Sequence, residues 1–598
     1  MAGSGKSIEK HSAKKKTDKS NGEMPSVQRS DRESLSRDRL VDAYRAMYTA
    51  RKSDDKILLM LRQGKVFFHI GTSGHEAAQV GTALALRQGH DWAYPYYRDM
   101  AFSLAFGYTV EEIFREALHR RTGPSSGGFA MPFHYGRKVS RIVSQSSPTG
   151  TQFLGAVGTA LGAVRDGLDE VVYVSSGEGA TSEGEFHEAV NWSAREHLPV
   201  IFLIQDNKYA ISVTIQEQMA AKSVYDLTAG YKGLNRYEVD GCDFLATYDV
   251  ARDAVENARR GKGPALILAH TVRLLAHSSS DDQRKYRSEE ELAKDRGRDP
   301  LPRFEKYLID NNILKAQGIK ELQEEVLGRI NRAADEAEAE DQQDPASLMK
   351  YVYSPTEAIP KEGFAEPQPT GGKIVMVDAI NHALFEEMER NPRMLVYGED
   401  VAGDKGGVFT ATKGLTKKFG WNRVFNSPLA EASIVGTALG LSVRGFKPCV
   451  EIQFGDYIWP AFMQLRDEVA MLRFRSNNDW SCPMVVRVAV GGYIHGGLYH
   501  SQSIDGFFTH VPGLRVVIPS NAADAKGLLK TACRSDDPVI FCEHKGLYRA
   551  SFATSAEPDA DYCLPFGLAK TVREGTDISV VTWGMMVHRS LEAARTMA

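Results

Sequence analysis

The sequence predicts an α/β protein built on mostly parallel sheets, arranged as two successive units. Three observations carry this. From residue 38 to about residue 335, short apolar runs alternate with helix-length amphipathic stretches, the pattern of strand–crossover–strand units. In both halves, polar and glycine residues collect at the carboxyl ends of the apolar runs. Near residue 336 the composition shifts to the acidic stretch Glu336–Asp344, then to Ser354-Pro355, Pro360, Pro367, Pro369 and Gly371-Gly372, which reads as a linker between independently folded units.

Residues 1 to about 37 hold Lys6, Lys10, Lys14, Lys15, Lys16 and Lys19, with no apolar run behind them. This excludes a secretory signal and reads as a disordered basic tail. In the first unit, apolar Val171–Val174 leads into Gly177-Glu178-Gly179. Thr181–His197 predicts a helix opened by a Ser182–Glu185 capping box, with Phe186, Ala189, Val190 and Ala194 on its apolar face. Apolar Pro199–Ile204 then leads to Asp206-Asn207. In the second unit, helix Val377–Arg390 precedes strand Met394–Tyr397, which ends in Gly398-Glu399-Asp400. Strand Lys447–Phe454 ends at Gly455-Asp456-Tyr457, and strand Met484–Ala489 at the glycine- and histidine-rich loop Gly491–His500. A third unit begins near Pro565, with strand Ile578–Trp583 and helix Ser590–Met597; it is too short to fold alone and reads as a truncated domain.

Composition narrows the function classes. The 598 residues are 42% apolar and 25% charged, with formal net charge −4, which gives no support to a nucleic-acid partner. No apolar run reaches the roughly 18–20 residues a membrane helix needs. Cys242, Cys449, Cys482, Cys533, Cys542 and Cys563 lack metal-site spacing and fit a reducing compartment. The expectation is a cytoplasmic protein.

The sharpest functional signal is the pair Glu178 and Asn207. A carboxylate and a carboxamide stand at the carboxyl ends of two strands joined by one crossover helix, the edge where open α/β sheets bind ligands. Hard oxygen donors there suit Mg²⁺ shared with the phosphates of a cofactor. Read by itself, Glu178 is equally a strand-end acid capping a turn.

These segments, with several others, resemble the E1 component of 2-oxoacid dehydrogenase complexes, which uses thiamine diphosphate. Gly177-Glu178-Gly179 with Asp206-Asn207, Tyr97-Arg98-Asp99, Met131–Gly136, Ser146-Ser147-Pro148, Tyr209–Ser212 and His277–Asp282 with Tyr286-Arg287 are similar to motifs of its α subunit. Gly398–Val401, Pro428–Glu431, Ile452–Tyr457 and Tyr499–Ser503 are similar to motifs of its β subunit. The resemblance spans roughly residues 40–598, with α and β, usually separate chains, fused through the linker.

The resemblance implies two thiamine-diphosphate-binding parallel-sheet domains: one for the diphosphate over 38–340 and, after linker 341–371, one for the pyrimidine over 372–560. It also implies the start of a transketolase C-terminal-like domain over 561–598. It implies Mg²⁺ on Glu178, Asn207 and the Tyr209 carbonyl, and diphosphate on Arg98 and Tyr97. Glu431 would contact the aminopyrimidine ring and promote formation of the cofactor ylide, with a carboxyl raised by burial beside Leu429. His500 and His277 would act on substrate or intermediate, and Gln453 and Tyr457 would line the aminopyrimidine site. Ser147, Thr149, Gly177, Gly179, Ala180, Glu399 and Leu429 would complete the cofactor site. Ser278–Ser280 resembles a loop phosphorylated in mitochondrial relatives; on its own it is an ordinary polar loop. The chain departs from the family at Asp206, Lys208, Thr149 and Gln205, the last standing where branched-chain relatives have an arginine.

The implied reaction is oxidative decarboxylation of a 2-oxoacid, branched-chain by the motifs Met131–Gly136 and Ser146–Thr151, with acylation of the lipoyl group of an E2 acyltransferase. Family members are α2β2, so the fused chain would be a homodimer. Pyruvate and acetoin dehydrogenases, a transketolase-type transferase, and an inactive relative that only binds or assembles remain as rivals.

Overall fold

The computed structural model describes residues 35–597; the expected basic tail lies, up to residue 34, outside the described residues. In the first half five strands pair in parallel. From edge to edge they are Trp92–Tyr94, Val172–Gly177, Val200–Asp206, Ala265–His270 and Asn235–Val239. Val200–Asp206 is buried along its whole length, as a parallel sheet covered on both faces requires. Gly177 pairs with Gln205 and Asp206 with His270. Glu178 and Asn207 therefore leave the sheet side by side at its carboxyl edge.

The crossover between those strands differs from expectation. Its helix is Gly184–Arg195, shorter than Thr181–His197, and no Ser182–Glu185 capping box forms. Residues Glu178–Ser182 instead wind into a 3₁₀ turn, with Thr181 Oγ1 donating to the Glu178 carbonyl at 2.7 Å. Extended Glu183 then precedes the helix. The tight turn takes the backbone bonds that the helix start would have made, and it leaves the Glu178 side chain at the strand end.

In the second half six strands pair in parallel. From edge to edge they are Val424–Asn426, Met394–Gly398, Lys447–Ile452, Val485–Val490, Val539–His544 and Arg515–Val517. Arg487 interrupts an otherwise apolar strand, and its two neighbours neutralise it. It donates to Glu451 at 2.7 Å and to Glu543 at 2.7 and 2.9 Å, which is what keeps a buried cation tolerable.

The connector from Glu340 to Gly372 holds one 3₁₀ turn, Pro345–Ser347, and no strand or α-helix. It does not separate independently folded units. Helices Gln152–Asp166 and Glu431–Val443 pack with their backbones touching. A Cβ added at Gly158 would lie 2.0 Å from the Thr437 carbonyl oxygen, and one at Gly440 would lie 2.0 Å from that of Gly155. Leu154, Val157 and Leu161 share one core with Ile434, Ala438 and Leu441. Arg393 and Arg444 reach back to Asp166. Apolar spacing shows that each helix has a buried face, and only tertiary packing shows that the two faces meet.

The expected strand Ile578–Trp583 does not form. A strand needs a neighbour for its backbone hydrogen bonds, and none pairs with it among the described residues. Ile578 and Val581 are 81% and 88% exposed. Helix Met585–Met597 follows, beginning before the expected Ser590.

Candidate functional site

Two groups of polar side chains gather at the carboxyl edges of the two sheets. The first centres on Glu178, which is 1% exposed. Its Oε2 accepts from the Asn207 backbone N–H at 3.2 Å, and its Oε1 has no partner. Burial, then the charge of Asp206, push its carboxyl up to about 7, since a low-dielectric setting disfavours the ionised form. Lys208 adopts φ +74°, turning the chain so that the Tyr209 N–H donates to Asn207 Oδ1 at 3.3 Å. Asn207 Nδ2 lies 3.5 Å from His75 Nε2. Gly179 is required by close approach: a Cβ there would meet the Cβ of Ala210 at 2.6 Å. Gly177 has open space beside it, and Ala180 joins the core. Asp206, next along, faces elsewhere, pairing with Lys208 and with His270 Nδ1 at 3.1 Å.

Two buried guanidinium groups, Arg98 and Arg273, act on the neighbouring Tyr97, His75 and His277. Arg98 is buried; its Nη1 donates to the Gly71 carbonyl at 2.7 Å and its Nη2 to the His277 carbonyl at 3.2 Å. Tyr97 stands edge-on to the His277 ring at 6.3 Å, and both Arg98 and Glu178 act on its hydroxyl. Arg273 is also buried. Its Nη2 donates to the Ile211 carbonyl at 2.9 Å and to Tyr286 Oη at 2.7 Å, while its Nε and Nη1 have no partner. The Tyr209 ring sits 5.8 Å from the Arg273 guanidinium and 5.2 Å from that of Arg287. Burial, then Arg98 and Arg273, lower His277 to about 4, so its ring is neutral at pH 7. Gln205 turns inward, donating to Asp99 at 2.6 Å and accepting from Gln79 at 3.0 Å; it adds no charge to the site. Ser147 and Thr149 line a small cleft with Tyr97 and His134, where Ser147 Oγ lies 2.6 Å from His134 Nε2.

The second group lies on the other sheet. Glu431 opens helix Glu431–Val443, whose N-cap residue Ala430 has no side-chain acceptor to cap it. The cap comes from the first half: Glu188 accepts from the Ser433 N–H at 2.9 Å and from its hydroxyl at 2.6 Å. Leu429 is 83% exposed and buries nothing, contrary to the sheltering role expected of it. The carboxyl pushed up to about 7 here is Glu399, by burial and then by Glu431 and Asp400; its Oε1 is buried without a partner. Gln453 donates to Asp400 at 3.0 Å. Tyr457 Oη lies 2.7 Å from His500 Nε2, and the His500 ring meets the Phe454 ring edge-on at 4.8 Å. Above them the loop Gly492–Tyr499 is exposed throughout.

Among the described residues, no hydrogen bond or ion pair joins the Glu178 group to the His500 group. The links between halves flank them: Ser146 and Thr151 donate to Glu468, and Glu188 holds Ser433.

Comparison with known proteins now decides the family. The dehydrogenase E1 component family matches residues 44–346, and the transketolase pyrimidine-binding domain matches residues 372–551. The chain belongs to the dehydrogenase E1 family. Its first half is similar to the 2-oxoisovalerate dehydrogenase subunit alpha of Bacillus subtilis (strain 168), 42% identical over 314 residues, which cover 52% of this chain and 95% of that one. Its second half is similar to the beta subunit of the same name from that organism, 53% identical over 221 residues, covering 37% of this chain and 67% of the relative. The pyruvate dehydrogenase E1 component subunit beta of that strain follows at 46% over 222 residues, with coverage of 37% and 67%. An α-like and a β-like E1 sequence are therefore fused in one chain, and the β-like part spans about two thirds of its relatives' length.

Both families take thiamine diphosphate, and the residues present fit it. A buried guanidinium with two free N–H-bearing nitrogens (Arg273) and a buried carboxylate with a free oxygen (Glu178) at one sheet edge are costly without ligands. An anionic diphosphate would give Arg273 its partners, and a cation beside it would give Glu178 one. Arg273 and His75 were not among the residues expected from sequence. Arg273 precedes His277 by four residues on the exit from strand Ala265–His270, and His75 closes the glycine-flanked run Gly71–His75 before helix Glu76–Ala85. Neither residue lies in a strand or helix whose periodicity would single it out; the strand exit before Arg273 and the glycines beside His75 were the only signals. Lys545, buried at the end of strand Val539–His544 with Nζ unpartnered and lowered to about 8 by burial, was likewise not anticipated.

Proposed function

We propose that the chain is a thiamine-diphosphate-dependent E1 that oxidatively decarboxylates a branched-chain 2-oxoacid and passes the acyl group to the lipoyl domain of an E2 acyltransferase. The observation that carries this is the succession, in one chain, of sequences similar to the alpha and beta subunits of 2-oxoisovalerate dehydrogenase. Pyruvate is the second reading, favoured by the 46% identity of the second half to a pyruvate dehydrogenase beta subunit.

When bound, the cofactor supplies the electron sink for loss of CO₂; the residues do the rest. Glu178, Asn207 and the Tyr209 carbonyl would hold Mg²⁺, whose preference for hard oxygens they match. Arg98 and Arg273 would hold the diphosphate, for which the planar guanidinium is suited. Glu431 would face the aminopyrimidine ring of the cofactor, and the raised carboxyl of Glu399 beside it is suited to sharing a proton there. Neutral His277 can donate or accept one hydrogen bond without adding charge, and His500, oriented by Tyr457, would contact substrate from the other half.

In domain terms we read an α-like unit over 38–340, a connector over 341–371, a β-like unit over 372–560 and the beginning of a further domain over 561–598. A homodimer is part of the reading: Leu429 and the loop Gly492–Tyr499 are exposed around the second group, surface that a second copy would cover. We place the protein in the cytoplasm; no helix among the described residues is long and apolar enough to cross a membrane. The test is a panel of 2-oxoacids assayed with thiamine diphosphate, Mg²⁺ and an artificial electron acceptor, then with a lipoyl domain. Branched-chain acids are expected to give the highest kcat/KM. Turnover of none of them, or of a ketose donor instead, would overturn the reading.

A further inference from the structure

His75 stands beside the Glu178–Asn207 pair without belonging to any motif that points to the cofactor. It is fully buried, 0% exposed. The turn that carries it is held from three sides. Asp54 Oδ2 accepts from the N–H groups of Thr72 and Ser73 at 2.8 and 3.0 Å, and from the Ser73 hydroxyl at 2.8 Å. The His75 N–H closes the turn on the Thr72 carbonyl at 2.9 Å. Gly74, at φ +99°, lies so close to the exit of strand Ala265–His270 that a Cβ would fall 2.1 Å from the Val272 carbonyl oxygen. The backbone position of His75 is thus set independently of any ligand, and its ring is buried where that backbone places it.

Asn207 turns its amide nitrogen toward His75 Nε2, 3.5 Å away. An amide nitrogen only donates, so in this arrangement Nε2 accepts and the ring's proton sits on Nδ1, which is buried without a partner. On its other side Asn207 accepts the Tyr209 N–H through Oδ1. A carboxamide has two nearly identical faces, and rotation by half a turn would present N–H₂ to a cation in place of oxygen. The Tyr209 N–H, and His75 when its proton is on Nδ1, both disfavour that rotation. We infer that His75 is a positioning residue for the metal site: its unprotonated Nε2 takes the Asn207 amide hydrogen and so keeps the Asn207 oxygen available to a divalent cation. This rests on the reading that Glu178 and Asn207 hold the cation of the cofactor. Outer partners that orient a ligand typically change metal affinity about 10–100-fold when removed.

The probe is Mn²⁺, with free ion counted by electron paramagnetic resonance in the presence of thiamine diphosphate, so that no turnover is needed. The full chain is compared with H75L, H75Q and N207A, and far-UV circular dichroism reports folding of each. H75L is expected to weaken Mn²⁺ binding about 10–100-fold. H75Q presents a carbonyl oxygen to the same amide hydrogen and is expected to restore binding to within about threefold, which a merely space-filling role would not require. N207A is expected to abolish binding. Tight Mn²⁺ binding by H75L, or equal losses in H75L and H75Q when both are folded, overturns the inference while leaving the metal site standing. Failure of the wild-type chain to bind Mn²⁺ with the cofactor present, or undiminished binding by N207A, overturns the metal site itself and the inference with it.

Discussion

Glu178→Gln separates stability from function in a way that can be measured. In the metal-free protein burial raises the Glu178 carboxyl from 4.5 to about 7. A carboxyl raised on folding contributes stability that is fully present below pH 4.5 and is lost as pH rises through 7, because the folded state resists giving up the proton that the unfolded chain releases. A shift of roughly 2.5 units corresponds to about 3 kcal/mol, since one unit is 1.36 kcal/mol. Glu178 is 1% exposed, so solvent screening takes little from that figure. Glutamine has the same shape and cannot ionise. The apo Glu178→Gln protein should therefore gain about 2–3 kcal/mol over wild type at pH 8, and under about 1 kcal/mol at pH 5. Adding Mg²⁺ and thiamine diphosphate should reverse the order at pH 8, because only the carboxylate pairs with the cation. Urea unfolding of the first transition at pH 5 and pH 8, with and without the ligands, reads all four values. A variant less stable than wild type at pH 8 without metal, or one stabilised equally by Mg²⁺ and cofactor, would refute the reasoning.

Three further outcomes are expected. Gly158→Ala places a methyl 2.0 Å from the Thr437 carbonyl oxygen, so the helices must separate; unfolding should cost at least about 1–3 kcal/mol less denaturant resistance, and an unchanged urea midpoint would show that the helix contact is loose. Glu188→Ala removes the cap that the first half gives to helix Glu431–Val443, a loss of about 1–2 kcal/mol seen in the same titration. Glu431→Ala should abolish decarboxylation while leaving thiamine-diphosphate-dependent Mn²⁺ binding within about threefold, since Glu431 stands on the other sheet from Glu178; unchanged turnover would remove it from the chemistry.

The parallel sheets were legible because strands buried on both faces read as continuous apolar runs, as Val200–Asp206 does. So was the position of Glu178 beside Asn207, which follows from two strand ends and one crossover. Boundaries were less so. The Ser182–Glu185 pattern matched a capping box, yet the chain spends those residues on a 3₁₀ turn that holds Glu178. Ile578–Trp583 has strand composition, but composition supplies no neighbour to pair with. Arg273 and His75 escaped notice because a buried cation or imidazole at a loop has no periodicity to betray it.

By itself the sequence determined the alternation of strands and helices, the family, and the placing of Glu178 and Asn207 at one sheet edge, all of which depend on residues near one another in the chain or on motifs of fixed spacing. Only the tertiary structure decided that the two halves share a core through Gly158 and Gly440, that Glu188 caps a helix of the other half, and that Asp206 and Gln205 turn away while Arg273 and His75 turn in. Those outcomes depend on how closely backbones approach and on which buried polar atoms find partners, and neither quantity exists until distant segments are packed together.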